Sequence, residues 1–315
     1  MLGRTADDLY WLSRYVERAE NMARLVEAGY RIAMMPRNSE EHREEWRSTL
    51  ASAGCAICFE RKYDDYSTEN VVNFMLLDTD NPSSVNSCLS TARNKARAVR
   101  TTMTKEMWES LNATWIELSG VKPKSVTPNL LPGFLEWVKQ RSQLFRGALI
   151  GTILRNDTFF FSQLGAFIER ADNTARILDV KYYVLLPERE IVGGGIDAYQ
   201  WATILRSVSA HRSYRWVYHE GYKPWRIAEF LILAKEMPRS LCFCYGMIDA
   251  ALKGLAETYG AKPPCHATAR ATRALFDHND MDNVFQGGLH EFLTNFLARN
   301  NQLSEEISSD FHFHD

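Results

Sequence analysis

A chain of 315 residues, 45% of them hydrophobic, is large enough to bury a substantial core, and 37 Lys+Arg against 39 Asp+Glu leave a net charge of only −2. That balance argues against nucleic acid or an anionic membrane surface as a general partner. No apolar run approaches the roughly 18 to 20 residues that span a bilayer, and the N-terminus enters an amphipathic pattern in place of a signal peptide, so a cytosolic protein is expected.

The first predicted element is a long helix. Thr5 with Asp8 three residues on resembles a capping box, and Leu9, Leu12, Val16, Ala19, Ala23, Val26 and Tyr30 then recur at spacings of three and four. Next comes "CAIC", with Cys55 and Cys58 at metal or redox spacing. No second CxxC or paired histidines stand ready to complete a zinc site, and six cysteines are too few for a disulfide scaffold, so all six are expected to be ordinary thiols. Asn81-Pro82 sets a favourable N-cap before a proline and predicts a helix through "CLSTARNKARAVR"; Pro238 occupies the matching place in "EMPRSLCFCYGMIDAAL". The free N–H groups of those two helix starts, with Ser83 and Ser84 in one and Arg239 and Ser240 in the other, form a candidate anion site, although capping alone accounts for most of the pattern. "SVTPNLLPG" (125–133) and "VGGGID" (192–197) read as loops, and residues 306–315, ending in "HFHD", as a frayed tail. Alternating strand patterns are scarce.

Within the first helix lies "YVERAENMAR" at 15–24, and "FIERADNTAR" at 167–176 nearly repeats it. Residues 15–31 and 167–183 share seven identities in seventeen positions, where unrelated segments give about one. Further along, Trp46 and Leu50 match Trp201 and Leu205, and after a one-residue slip Tyr66, Phe74, Pro82 and Ser84 match Tyr222, Phe230, Pro238 and Ser240. The expectation is a single all-α domain over 1–315, a helical bundle of two internally duplicated halves, approximately 1–148 and 149–305, related by a pseudo-two-fold axis.

At 100° per residue, Glu17, Glu20, Asn21 and Arg24 form one stripe, and Arg18 falls among apolar Trp11, Met22 and Leu25. Taken alone, the stripe is an ordinary solvated face with a Glu20–Arg24 pair worth a few tenths of a kcal/mol. The second copy differs. Where the first has Ser13, Arg14, Ala28 and Arg31, it has Gly165, Ala166, Val180 and Tyr183, so its Glu169, Arg170, Asp172, Asn173 and Arg176 sit on a helix that is apolar nearly all round. Buried charges must be paired and hydrogen-bonded, which favours an internal Glu/Asp–Arg–Asn network. Such a network either locks two central helices into register or holds a carboxylate, phosphate or peptide terminus in a cleft; the sequence leaves both open.

No Glu-x-x-His pair, phosphate-binding glycine loop or G-x-S-x-G elbow occurs, so no metal or nucleotide cofactor is expected and no catalytic residue is assigned. Together, "TADDLYWLSRYVERAENMAR", "NPSSVNSCLSTARNKARAVR", "EMWESLN", "LGAFIERADNTARILDVKYY" and "MPRSLC" resemble the Alpha-E family, a bacterial all-α domain of unknown function with a Glu-Arg motif. The resemblance places that motif on Glu17-Arg18 and Glu169-Arg170. It also implies a setting beside a circularly permuted ATP-grasp protein and often a transglutaminase-like protein, in a system that makes or modifies a peptide through amide bonds. An accessory subunit that docks an ATP-grasp partner is therefore the leading expectation, with an enzyme using Glu17 or Glu169 as general base, or a purely structural bundle, as alternatives.

Overall fold

A computed structural model describes residues 1–34, 39–184, 195–219, 221–278, 284 and 288–313. The described residues are all helix and connecting turns: α1 (Gly3–Ala33), α2 (Ser39–Ser52), α3 (Ala56–Glu60), α4 (Thr68–Leu76), α5 (Val85–Ala98), α6 (Lys105–Ser119), α7 (Leu131–Thr152) and α8 (Asp157–Val184). They continue with α9 (Gly195–Ser207), α10 (His211–Tyr218), α11 (Pro224–Leu233), α12 (Leu241–Tyr259), α13 (Cys265–His278) and α14 (Leu289–Asp310). No helix among them is long and apolar enough to cross a membrane.

The bundle is organised around the crossing of α1 and α8. α1 also packs on α5, α7 and α9, whereas α8 packs on α12 and α14, and α2 lies against both central helices. Burial follows from that position: residues 19–26 of α1 and 161–171 of α8 are buried without a break, so no face of either stretch meets water. The crossing is close because α8 carries Gly165 at the contact; a Cβ there would lie 2.0 Å from the Tyr10 carbonyl oxygen, a backbone atom that cannot yield cheaply. Buried apolar side chains from all parts of the chain form one contiguous core. The division at 148/149 falls inside α7, so no linker separates the two stretches that resemble each other.

Several local expectations are corrected. Leu2, with no side-chain hydrogen bond, occupies the cap position of α1, and Asp8 pairs with Lys95 from α5 at 2.8 Å in place of closing a capping box with Thr5. Asn81 is not the cap of α5: its side chain donates to Phe74 O and accepts from Ser83 N–H, folding a turn that delays the helix to Val85. Ser84 is the cap, accepting from Ser87 N–H, and Ser240 caps α12 from Phe243 N–H. The tail is not frayed through 313. Phe313 is buried against Tyr10 and Phe161 at ring-centroid distances of 5.4 and 6.1 Å, and Asp310 accepts from Cys265 N–H, because the α1–α8 junction leaves an apolar slot that these rings fill. Of "VGGGID", residues 192–194 lie outside the described residues and Gly195 already begins α9; of "HFHD", 314–315 lie outside them.

Candidate functional site

The two Glu-Arg dipeptides cross at the centre. Arg170 grips Glu17 with two parallel bonds, Nε to Oε1 and Nη2 to Oε2, both 2.9 Å, and Arg18 grips Glu169 likewise, Nε to Oε1 at 2.6 Å and Nη2 to Oε2 at 2.9 Å. Each helix thus supplies the carboxylate that the other helix's arginine needs. Beyond these reciprocal pairs the two sides differ.

On the Glu17 side the network is closed. Arg239, 5% exposed, reaches Glu17 Oε1 at 3.1 Å, Glu20 Oε1 at 2.7 Å and Asn21 Oδ1 at 3.3 Å. Arg146 of α7 donates to Glu17 Oε2 at 3.0 Å and also to Glu20. Arg24 holds Glu20 Oε1 through Nε and Nη2 at 2.8 and 2.6 Å and uses Nη1 on Ser207 O and Ser209 Oγ. Burial alone would raise the Glu17 carboxyl, but Arg170, Arg239 and Arg146 hold it well below the usual carboxylate range. Against the same burial, Arg239, Arg146 and Arg24 pull Glu20 down to about 2. Arg239 feels the opposite imbalance: burial, with Arg24 and Arg170 nearby, outweighs the two glutamates and lowers it to about 10, still cationic at neutral pH.

On the Glu169 side the network opens. Arg14 Nε adds a bond to Glu169 Oε2 at 2.9 Å and anchors its Nη1 on Ser304 Oγ at 2.8 Å, while Asp172 has one guanidinium partner, Arg176, at 2.6 and 3.3 Å. Arg18 and Arg14 bring Glu169 to about 2 in spite of its burial. Beside these groups lies a mostly polar cavity of about 200 Å³, bordered by Arg18, Asn21, Ser83, Asp172, Asn173 and Arg176. The central helices therefore meet around a closed core at one end of the crossing and around a pocket at the other.

Matched to a description as a predicted alpha-helical domain with a conserved ER motif, the Alpha-E family model covers residues 1–312. The chain belongs to the Alpha-E family. No curated protein and no solved structure matches it. In this Alpha-E chain, Glu17-Arg18 and Glu169-Arg170 are the Glu-Arg dipeptides that exchange partners across α1 and α8.

The structure brings together Glu17, Arg18, Glu20, Asn21, Arg24, Glu169, Arg170, Asp172, Asn173 and Arg176. The residues of the candidate anion site at the two helix starts take different roles. Ser84 and Ser240 are spent as caps, Arg239 points inward to the glutamates, and only Ser83 faces the pocket. Ser13 and Arg14, which read as polar flank, are buried. Arg14 and Arg146 are the network members that sequence patterning missed, and Arg239 is one that it assigns to a helix-start anion site instead. Arg14 stacks over Trp11 with 4.6 Å to the ring centroid, the one local signal, since an aromatic neighbour can cover a guanidinium face. Counting these, seven guanidiniums, those of Arg14, Arg18, Arg24, Arg146, Arg170, Arg176 and Arg239, face four carboxylates in the central ion pairs.

The cysteines do not join the site chemistry. Cys55, Cys88, Cys242, Cys244 and Cys265 are buried and Cys58 is exposed; burial pushes Cys55 and Cys88 up to about 12, away from thiolate reactivity.

Proposed function

We propose that this chain is a non-catalytic helical subunit that acts with an ATP-grasp-type ligase, and with a transglutaminase-like protein where one is present, in making or modifying a peptide through amide bonds. The observation that carries the non-catalytic reading is the state of the motif carboxylates. A general base works best with a pKa near the working pH and with reach to its substrate. Glu17, Glu20 and Glu169 have the reverse properties: all are buried, all have their carboxyl groups held low, and each is engaged by at least two guanidiniums.

The resemblance supplies the ligase, and the chain's surface supplies room for a protein partner. α10 and α11 border an apolar hollow of about 830 Å³ lined in part by Trp216, Val217 and Phe230, with Trp216 largely exposed. We read the architecture as a duplication with a pseudo-two-fold axis through the α1–α8 crossing. Supporting it, Ser84 and Ser240 cap their helices in the same way, the Cys88 and Cys244 thiols each donate to the carbonyl of the proline six residues earlier, and the Glu-Arg pairs are reciprocal.

Co-expression with the ATP-grasp-type protein tests the proposal. A stable complex on size exclusion that Trp216→Asp weakens at least tenfold is the expected result. A chain that stays monodisperse and ignores that partner at micromolar concentration refutes it.

A further inference from the structure

At the open end of the network the carboxylate oxygens are engaged while several donors are free. Both oxygens of Glu169 and both of Asp172 already accept from arginines. Asn21 and Asn173, 2% and 5% exposed, border the cavity, and the Nδ2 of each is buried without a hydrogen-bond partner. For Asn21 the assignment is fixed, because its Oδ1 accepts from Arg239, so the free atom is a donor. Among the described residues no hydrogen bond engages Nη1 of Arg18 or Nη1 of Arg176. A buried amide N–H left without an acceptor costs about 1–3 kcal/mol, so that of Asn21, with the Asn173 amide oriented alike beside it, marks a place that an acceptor completes.

Charge at the pocket wall is balanced, Arg18 and Arg176 against Glu169 and Asp172, and Arg14, which pairs with Glu169 and is anchored on Ser304 away from the pocket, adds one further positive charge nearby. One side-chain difference accompanies the opening. Pro238-Arg239-Ser240 precedes α12 as Pro82-Ser83-Ser84 precedes α5; Arg239 fills the space against Glu17 and Glu20, whereas the short Ser83 leaves the corresponding space against Glu169 and Asp172 open.

We infer that the pocket between Ser83 and the Arg18/Arg176 guanidiniums binds an oxyanion of carboxylate or phosphate size, held by those two Nη1 groups and by Nδ2 of Asn21 and Asn173. A cation in the same place would meet the Arg18 and Arg176 guanidiniums, with Glu169 and Asp172 already paired to arginines. The assignment stands whether or not a ligase partner binds; where that partnership holds, it names the acidic group of the substrate that this subunit presents.

Binding is measured on the full chain by calorimetry and thermal shift at matched ionic strength. The probes are inorganic phosphate, N-acetylglycine, N-acetylglycinamide and arginine amide. Saturable binding of phosphate or N-acetylglycine, with N-acetylglycinamide and arginine amide silent, is expected, and the tighter of the two acids identifies the source of the oxyanion. Ser83→Arg, which fills the cavity as Arg239 fills its counterpart, should weaken that binding at least about tenfold, and so should Arg176→Gln, which removes one donor from a half-exposed position and keeps the test alive if the first variant fails to fold. Acids that act no differently from chloride, binding of arginine amide in their place, or acid binding unchanged in both folded variants would each overturn the assignment.

Discussion

Glu17→Gln is the sharpest stability test of the crossed network. The carboxylate is 1% exposed, accepts from Arg170 twice and from Arg146, and is ion-paired with Arg239. Glutamine keeps the shape but removes the charge, and it turns one acceptor oxygen into an NH2 that meets guanidinium donors. Three cations would then share only Glu20, itself already held by Arg24, Arg146 and Arg239. Breaking a buried pair by removing one partner costs about 3–5 kcal/mol, and stranding Arg170 while Arg146 and Arg239 each lose one of two carboxylates places this substitution at the upper end, about 5 kcal/mol. Against a total of about 5–15 kcal/mol for an ordinary domain, that is a large fraction, visible as a drop in melting temperature on the order of 10 °C. Urea unfolding followed by circular dichroism measures it, with Lys105→Gln on the solvated Lys105–Glu109 pair as a control that should change stability by less than about 0.5 kcal/mol. A Glu17→Gln chain within about 1 kcal/mol of the parent would refute the reasoning.

Gly165→Ala should cost about 3 kcal/mol or prevent folding, since its Cβ meets the Tyr10 carbonyl, whereas Gly246→Ala, in an open stretch of α12, should gain about 0.5–1 kcal/mol in the same urea assay. Phe313→Ala should cost about 3 kcal/mol and expose the end of α14 to limited proteolysis, while a frayed tail would lose nothing. Acid should destabilise the fold through the motif carboxyls. Glu20 and Glu169 are lowered to about 2 when folded and return to about 4.3 when unfolded, so the unfolded chain binds more protons in that window. Their contribution is full above about pH 5 and is lost as pH falls toward 2; stability that stays flat across the window in a urea series would contradict the pairing.

How far the sequence reached depended on whether a residue had an internal counterpart. The ER helices were legible because the second copy acted as a control on the first: Gly165 and Ala166 at the flank of 167–176 revealed that the same charges must sit inside. Arg146 had no such counterpart, and nothing in "QRSQLFRGAL" distinguishes an arginine that turns inward from one on a wet face. Arg239 stands out in the sequence, but its place does not. A basic residue before a helix start resembles an anion ligand, and only the three-dimensional crossing reveals that Glu17 and Glu20 lie within its reach. Asn81-Pro82 misled for a related reason, since Asn, Ser83 and Ser84 are all competent caps and the choice among them is made by Phe74 O, a tertiary partner of the Asn81 amide. Phe311 and Phe313 follow a polar run and resemble a frayed end in sequence; the slot beside Tyr10 and Phe161 that holds them is a tertiary feature.

The central claim is that the motif carboxylates are fixed partners of buried arginines and not proton-transfer groups. Carbon-detected NMR titration of the Glu17, Glu20 and Glu169 carboxyls tests it most directly. All three should remain ionised down to at least pH 4, with Glu20 and Glu169 beginning to protonate only toward pH 2. A carboxyl among them that titrates above about pH 5 would be poised for acid–base chemistry and would contradict the account.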